Sequence, residues 1–249
     1  MNRLNFSIKL ADKQQSIYEI ASDLDRVFKA LSKLDSIFNQ VYFITKKGEN
    51  LINVSEEESV DLLASNLLER SLKDIKQFDK IESPDVNYSR PYGYSFGLSF
   101  KENTKPILHL NFKIGGDSNN SIGSISLTNY LVRDYSSFKE ILKVFNENLA
   151  VKYSSVRLVD VEFLTIANSK YKGHLGWITY FSNDYEIDIP DDLEGIEYEH
   201  TSNGKYLILT KDNLSVDYNN DEAYKNRLLK LMEEISERVP EYRRYKKNS

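Results

Sequence analysis

Cysteine is absent from this chain of 249 residues, which excludes disulfides, thiolate metal centres and cysteine nucleophiles and fits any redox compartment. Histidine is scarce. His109, His174 and His200 are far apart in the sequence, and none stands at the short helical spacing of a zinc-ligand pair. No metal site and no histidine-activated nucleophile is therefore expected. Gly115-Gly116 lacks the Lys-Ser/Thr of a phosphate-binding loop and opens no helical pattern, so it reads as a hairpin loop. Asp217, Asn219 and Asp221 imitate a calcium loop only briefly: Glu222 stands where the obligatory glycine belongs and Leu228 where the closing bidentate Glu belongs. No serine elbow motif occurs. No apolar run approaches the length of a spanning helix. The opening residues, MNRLNFSIKLADKQQ, hold neither an uninterrupted apolar segment nor a small-residue cleavage site, so the expected address is the cytoplasm, with no membrane partner. An excess of positive charge is missing too. A net charge of −5 disfavours nucleic-acid binding, which draws most of its affinity from cations set against phosphates.

What the chain does contain is ordinary globular material, 40% hydrophobic and 29% charged, enough for one substantial core and read here as a single domain over residues 1–249. A strand is expected near Leu4 to Leu10. Apolar residues then recur at helical steps through Ile17, Ile20, Ala21, Leu24, Val27, Phe28, Leu31 and Leu34. Gln40 to Thr45 alternates as a strand, Gly48 and Asn50 turn the chain, and a second helix is expected from about Ser55, with Glu56, Glu57 and Glu58 against its N-terminal dipole. From Gly93 the period falls to two through Tyr94–Lys101, Ile107–Ile114 and Ile122–Thr128, which predicts an antiparallel meander. A third helix follows, capped by Ser136 or Ser137. Strands are expected near residues 156–166, 175–181, 195–200 and 205–210, and a closing helix from about Asp221 to Arg238. Strands thus cluster between helices instead of alternating with them. That pattern predicts an α+β fold, antiparallel sheets flanked by about four helices. The same interval separates Gly93-Tyr94 from Gly176-Trp177 and Asp134-Tyr135 from Asp217-Tyr218, the trace two related three-strand-plus-helix units would leave.

The segment from Tyr171 to Asp188, YKGHLGWITYFSNDYEID, carries the chain's single tryptophan. Trp177, Ile178, Tyr180 and Phe181 suit a half-buried strand, with Gly173 and Gly176 allowing close approach. Core packing and a binding role are both open for Trp177. Directly after it comes a concentration of acid: Asp184, Glu186, Asp188, Asp191, Asp192, Glu194, Glu197 and Glu199. Either this is a solvated face, or it is an acidic surface beside an aromatic strand offered to a basic partner. Tyrosine is abundant, 17 residues against 12 Phe, and serves interfaces and half-buried strands alike. Arg238, Arg243, Arg244, Lys246 and Lys247 make a basic end that complements the last helix's C-terminal dipole.

The order of these features, GYSFGLSF, then Gly115-Gly116, SIGSISLTN, the Gly176-Trp177-x-Thr179-Tyr180 group, DIPDD, the Asn203-Gly204 hairpin and KYLILT, resembles the immunity protein 52 family of bacterial polymorphic toxin systems. At Tyr42 the family is expected to favour Trp. The resemblance implies a protein encoded beside a toxin gene that neutralises the toxin by binding it. The expected toxin is a restriction-endonuclease-like nuclease, with type VI secretion as its expected route. It also implies no catalysis and no cofactor. Candidate contact residues are Trp177, Tyr180, Asp184, Tyr185, Asp191, Asp192 and Glu194, facing a basic nuclease domain. A carboxylate-based hydrolase and an effector adaptor or chaperone are the rival readings, and the oligomeric state is left open.

Overall fold

A computed structural model describes residues 4–45, 48–102, 105–116, 124–128, 135–158, 163, 167, 169–172, 175–212 and 222–244. The expectations placed on Gly173, His174, Ile122, Asp134, Asp217, Tyr218, Asn219, Asp221, Lys246 and Lys247 lie outside these. The described chain is α+β, with four helices and two antiparallel sheets of five and four strands. It divides into two compact units: one of Ile8–Asn129 and Glu140–Val151, the other of Met1–Ser7, Tyr130–Lys139 and Lys152–Ser249. The division falls within β1 (Leu4–Leu10) and within α3 (Tyr135–Asn148).

In the first unit, α1 (Ile17–Leu34) starts where its periodicity says it should. Ser16 caps it, accepting from the Glu19 backbone N–H while the Glu19 carboxylate accepts from the Ser16 backbone N–H at 2.7 Å, so two orphan donors of the first turn are satisfied reciprocally. The strands β2 (Gln40–Thr45), β3 (Gly48–Asn53), β4 (Tyr92–Glu102), β5 (Lys105–Gly116) and β6 (Ser124–Thr128) pair antiparallel in the order β3-β2-β4-β5-β6. This includes the expected meander β4-β5-β6. Alternation along β4 and β5 buries Tyr94, Phe96, Leu98 and Phe100 and, beside them, Leu108, Leu110, Phe112 and Ile114, while Ser95, Asn111 and His109 point to the less covered face. Phe28 of α1 meets Phe100 edge-on at 5.7 Å, which seats the helix on the apolar face.

In this unit two boundaries differ from the sequence reading. GENLIN, taken as a turn, is strand β3: its poor intrinsic propensity is overridden by six residues of pairing with β2. The second helix, α2 (Ser59–Asp74), starts later than Ser55 because β3 runs to Asn53 and residues 54–58 form the connecting turn. Its first residue, Ser59, is fully buried and donates to Asp25 of α1 at 2.5 Å, joining the two helices through a polar contact. Beyond α2 a π turn over Ile75–Asp79 ends on left-handed Lys80 at φ 61°. The segment is held by a bidentate contact from Arg90 to Asp79 at 2.6 and 3.1 Å, with both side chains under 10% exposed.

In the second unit, β7 (Val151–Leu158), β8 (Ile178–Ser182), β9 (Glu197–Thr201) and β10 (Gly204–Ile208) pair antiparallel in the order β7-β8-β10-β9. β7 begins earlier than expected, at Val151, and β8 later, at Ile178. The closing helix α4 (Glu222–Arg238) buries Tyr224, Leu228, Leu231, Met232 and Ile235 against Tyr153, Phe181, Leu207 and Leu209. Both successions of three strands and a helix, β4 to α3 and β8 to α4, are present. Their pairing differs: β4, β5 and β6 lie in chain order, whereas β10 sits between β8 and β9.

Candidate protein-binding surface

The tryptophan motif organises the second unit from within. Trp177 is 1% exposed. Its backbone N–H donates to Val156 O at 2.8 Å and its indole Nε1 to Thr210 O at 2.8 Å, while Phe138 and Tyr135 meet the ring edge-on at 5.8 and 6.0 Å. Gly176 precedes it because no larger residue fits: a Cβ there would lie 2.3 Å from Val156 O and 2.6 Å from Arg157 Cγ. Thr179 Oγ1 accepts from the Gly176 N–H at 2.9 Å. The Tyr180 hydroxyl donates to Asn203 O at 2.9 Å, tying β8 to the β9–β10 turn. Each residue of the Gly-Trp-x-Thr-Tyr group therefore has a structural task.

The aromatic half of the expected contact surface is corrected by this geometry. Trp177, Tyr180 and Tyr185 are 1%, 2% and 8% exposed, and a covered ring has no area to give a partner. β8 is central in its sheet and buried on both faces, since Ile178, Thr179, Tyr180 and Phe181 are all covered.

The acidic half does reach the surface, in an ordered way. From Asp184 to Ile189 the chain alternates, with Tyr185, Ile187 and Ile189 in the core and Asp184, Glu186 and Asp188 exposed. This is the period-two pattern of an extended segment pinned by every second side chain. Leu193 pins the next stretch, and its backbone N–H donates to the Tyr198 hydroxyl at 2.9 Å. Gly195 turns the chain at φ +71° and its carbonyl accepts from Arg227 of α4 at 2.5 Å. Together these contacts make a ridge of carboxylates on a fixed backbone.

Seven of its eight charges divide into two groups. Asp191 pairs with Lys205 at 2.5 Å, Asp192 with Arg238, Glu197 with Lys211 and Glu199 with Lys139. Asp184, Asp188 and Glu194 are exposed and form no ion pair with a described residue. The ridge also perturbs its neighbours. Burial raises the Tyr180 hydroxyl pKa and the charge of Asp184 raises it further. Burial likewise raises Tyr198, with Asp191, Asp192 and Glu234 adding to it against the hydrogen bond at Leu193. Sequence reasoning placed all eight acids together but did not distinguish the paired from the unpaired. The cations responsible lie 14 and 46 residues away for Asp191 and Asp192, and no local pattern marks them. Among the described residues no group of His, Asp or Glu is arranged to hold a metal ion, and no helix is long and apolar enough to cross a membrane.

Fold and surface together define an α+β protein with a fixed acidic ridge. No family model matches the chain, and no curated protein matches it. Among solved structures it is similar to the Pseudomonas aeruginosa T6SS protein PA0821, at a TM-score of 0.48 and 9% identity over 84% of this chain. The chain spans 65% of that protein's length.

Proposed function

We propose that this protein is an immunity protein that binds a cognate polymorphic toxin and blocks it stoichiometrically, without turnover. The observation that carries the reading is the ridge bearing Asp184, Asp188 and Glu194, carboxylates held on a backbone anchored by Tyr185, Ile187, Ile189 and Leu193 and not neutralised by a described cation. Such a surface is complementary to a basic partner, of which the phosphate-binding cleft of a nuclease is the chemical type. The resemblance in the order of motifs to the immunity protein 52 family supports the same reading. Fixed charges hasten encounter and reject wrong partners, and the loss of motion on binding is small because the ridge is already ordered. The partner is thus a toxin with a cationic nuclease domain, met in the cytoplasm of the producing cell.

The test is co-expression with the product of the adjacent toxin gene. Growth should be rescued and a stable one-to-one complex recovered. Unrelieved toxicity, or no complex in pull-down, would sink the proposal.

A further inference from the structure

The second unit holds a cationic pocket whose chemistry is opposite to that of the ridge. It is open, about 390 Å³ in volume, and lined by Ser169, Lys170, Tyr171, Glu233, Arg243 and Arg244. One wall is a short ladder between residues 170–172 and 242–244. Within it the Arg244 N–H donates to Lys170 O at 2.7 Å, the Lys172 N–H donates to Tyr242 O at 2.8 Å, and Tyr171 and Arg243 bridge. That ladder fixes the arginines. Arg244 Nε donates to Tyr171 O at 2.8 Å, which leaves both Nη groups without a partner among the described residues. Arg243 Nη2 bonds Glu233 and, at 3.2 Å, Ser236 Oγ.

Glu233 is the only acid among the described residues of the lining. It accepts from the Tyr171 hydroxyl and from Arg243, and its pKa is lowered by those two groups and by the charge of Lys170. Among the described lining residues one carboxylate stands against three cations, an excess of two positive charges. The same unit holds a buried cation. Arg157 is 6% exposed, and its Nε and Nη1 have no hydrogen-bond partner among the described residues. It is close enough to Tyr242 for its charge to oppose the burial that raises that hydroxyl's pKa, and Tyr242 stacks on Tyr171 at 5.7 Å.

From this we infer that the pocket is a binding site for a small phosphate monoester, a dianion at neutral pH, with Arg244 and Lys170 as its principal contacts. A planar guanidinium with both Nη groups open matches two phosphate oxygens in a fork, and the lysine ammonium supplies the second charge. The site is independent of the toxin-binding reading, since it uses none of the ridge residues.

Calorimetric titration of the full chain with AMP, inorganic phosphate and acetate tests it. AMP and phosphate should bind one to one, with acetate at least about tenfold weaker, and R244Q and K170Q should each weaken AMP by about tenfold. Both residues are exposed, and unchanged Trp177 fluorescence will verify that each variant is folded. No saturable AMP binding up to about 10 mM, acetate binding equal to phosphate, or folded R244Q and K170Q binding like the parent protein would each overturn the inference.

Discussion

At the scale of single residues, Trp177 shows how one side chain meets several constraints. Its ring is covered by Phe138 and Tyr135, and its only polar atom is satisfied by Thr210 O, so nothing about it is left over for a partner. Truncation to Ala removes the largest buried ring of the second unit and the indole donor to the Thr210 carbonyl. The expected cost is about 3–5 kcal/mol, read by chemical denaturation. The fluorescence of this single tryptophan should be blue-shifted in the native state and move to the red on unfolding. A native emission already at the solvated wavelength, or a W177A variant of undiminished stability, would contradict its placement. Gly176 belongs to the same argument, because a Cβ would meet backbone at Val156 that cannot move away.

At the scale of elements, α1 is specified twice over, by its apolar stripe and by the Ser16–Glu19 capping box. Ser16→Ala should cost about 1 kcal/mol, measurable as a lower denaturation midpoint with an unchanged denaturant slope. The cap also sets a pH dependence. The Glu19 pKa is lowered from 4.5, chiefly by the hydrogen bond from the Ser16 backbone. A carboxylate with a depressed folded pKa contributes stability that is fully present above the unfolded value and is lost as pH falls through the folded one. Glu233, lowered first by the Tyr171 hydroxyl, acts in the same direction. Stability should therefore decline as pH drops below 4.5, and the combined E19Q and E233Q substitutions should flatten that decline. An equally steep acid limb in the double variant would refute this assignment. The two elements of the first unit that sequence reasoning misplaced have a common cause. β3 has a sequence that favours a turn, and its strand conformation comes from hydrogen bonds to β2; the start of α2 was shifted in turn by where β3 ends.

At the scale of the whole molecule, net charge and its distribution decide how the protein meets others. The acids without cations should govern encounter, and the paired ones should not. Charge reversal of Asp184, Asp188 and Glu194 together should slow association with the cognate toxin by about tenfold at low salt and reduce its salt dependence, with little change in dissociation. Reversal of Asp191 and Asp192 meets Lys205 and Arg238 instead, and should act mainly by loosening the ridge. Stopped-flow kinetics at two ionic strengths separates the two. Equal effects from the two sets, or none from the first, would place the docking surface elsewhere.

The sequence by itself determined the α+β class, the extent of α1, the meander β4-β5-β6 and the closing helix, because apolar periodicity and capping are local and each reports which side of an element faces the core. It also located the acid-rich stretch after Trp177. Only the tertiary structure decided that Trp177, Tyr180 and Tyr185 lie inside and that Asp184, Asp188 and Glu194 of that stretch form no ion pair with a described residue. It alone gathered Lys170 with Arg243 and Arg244 into one pocket. Burial on both faces of a central strand, and the neutralisation of a surface charge, depend on residues distant in the chain, and their distances are set only when the chain packs.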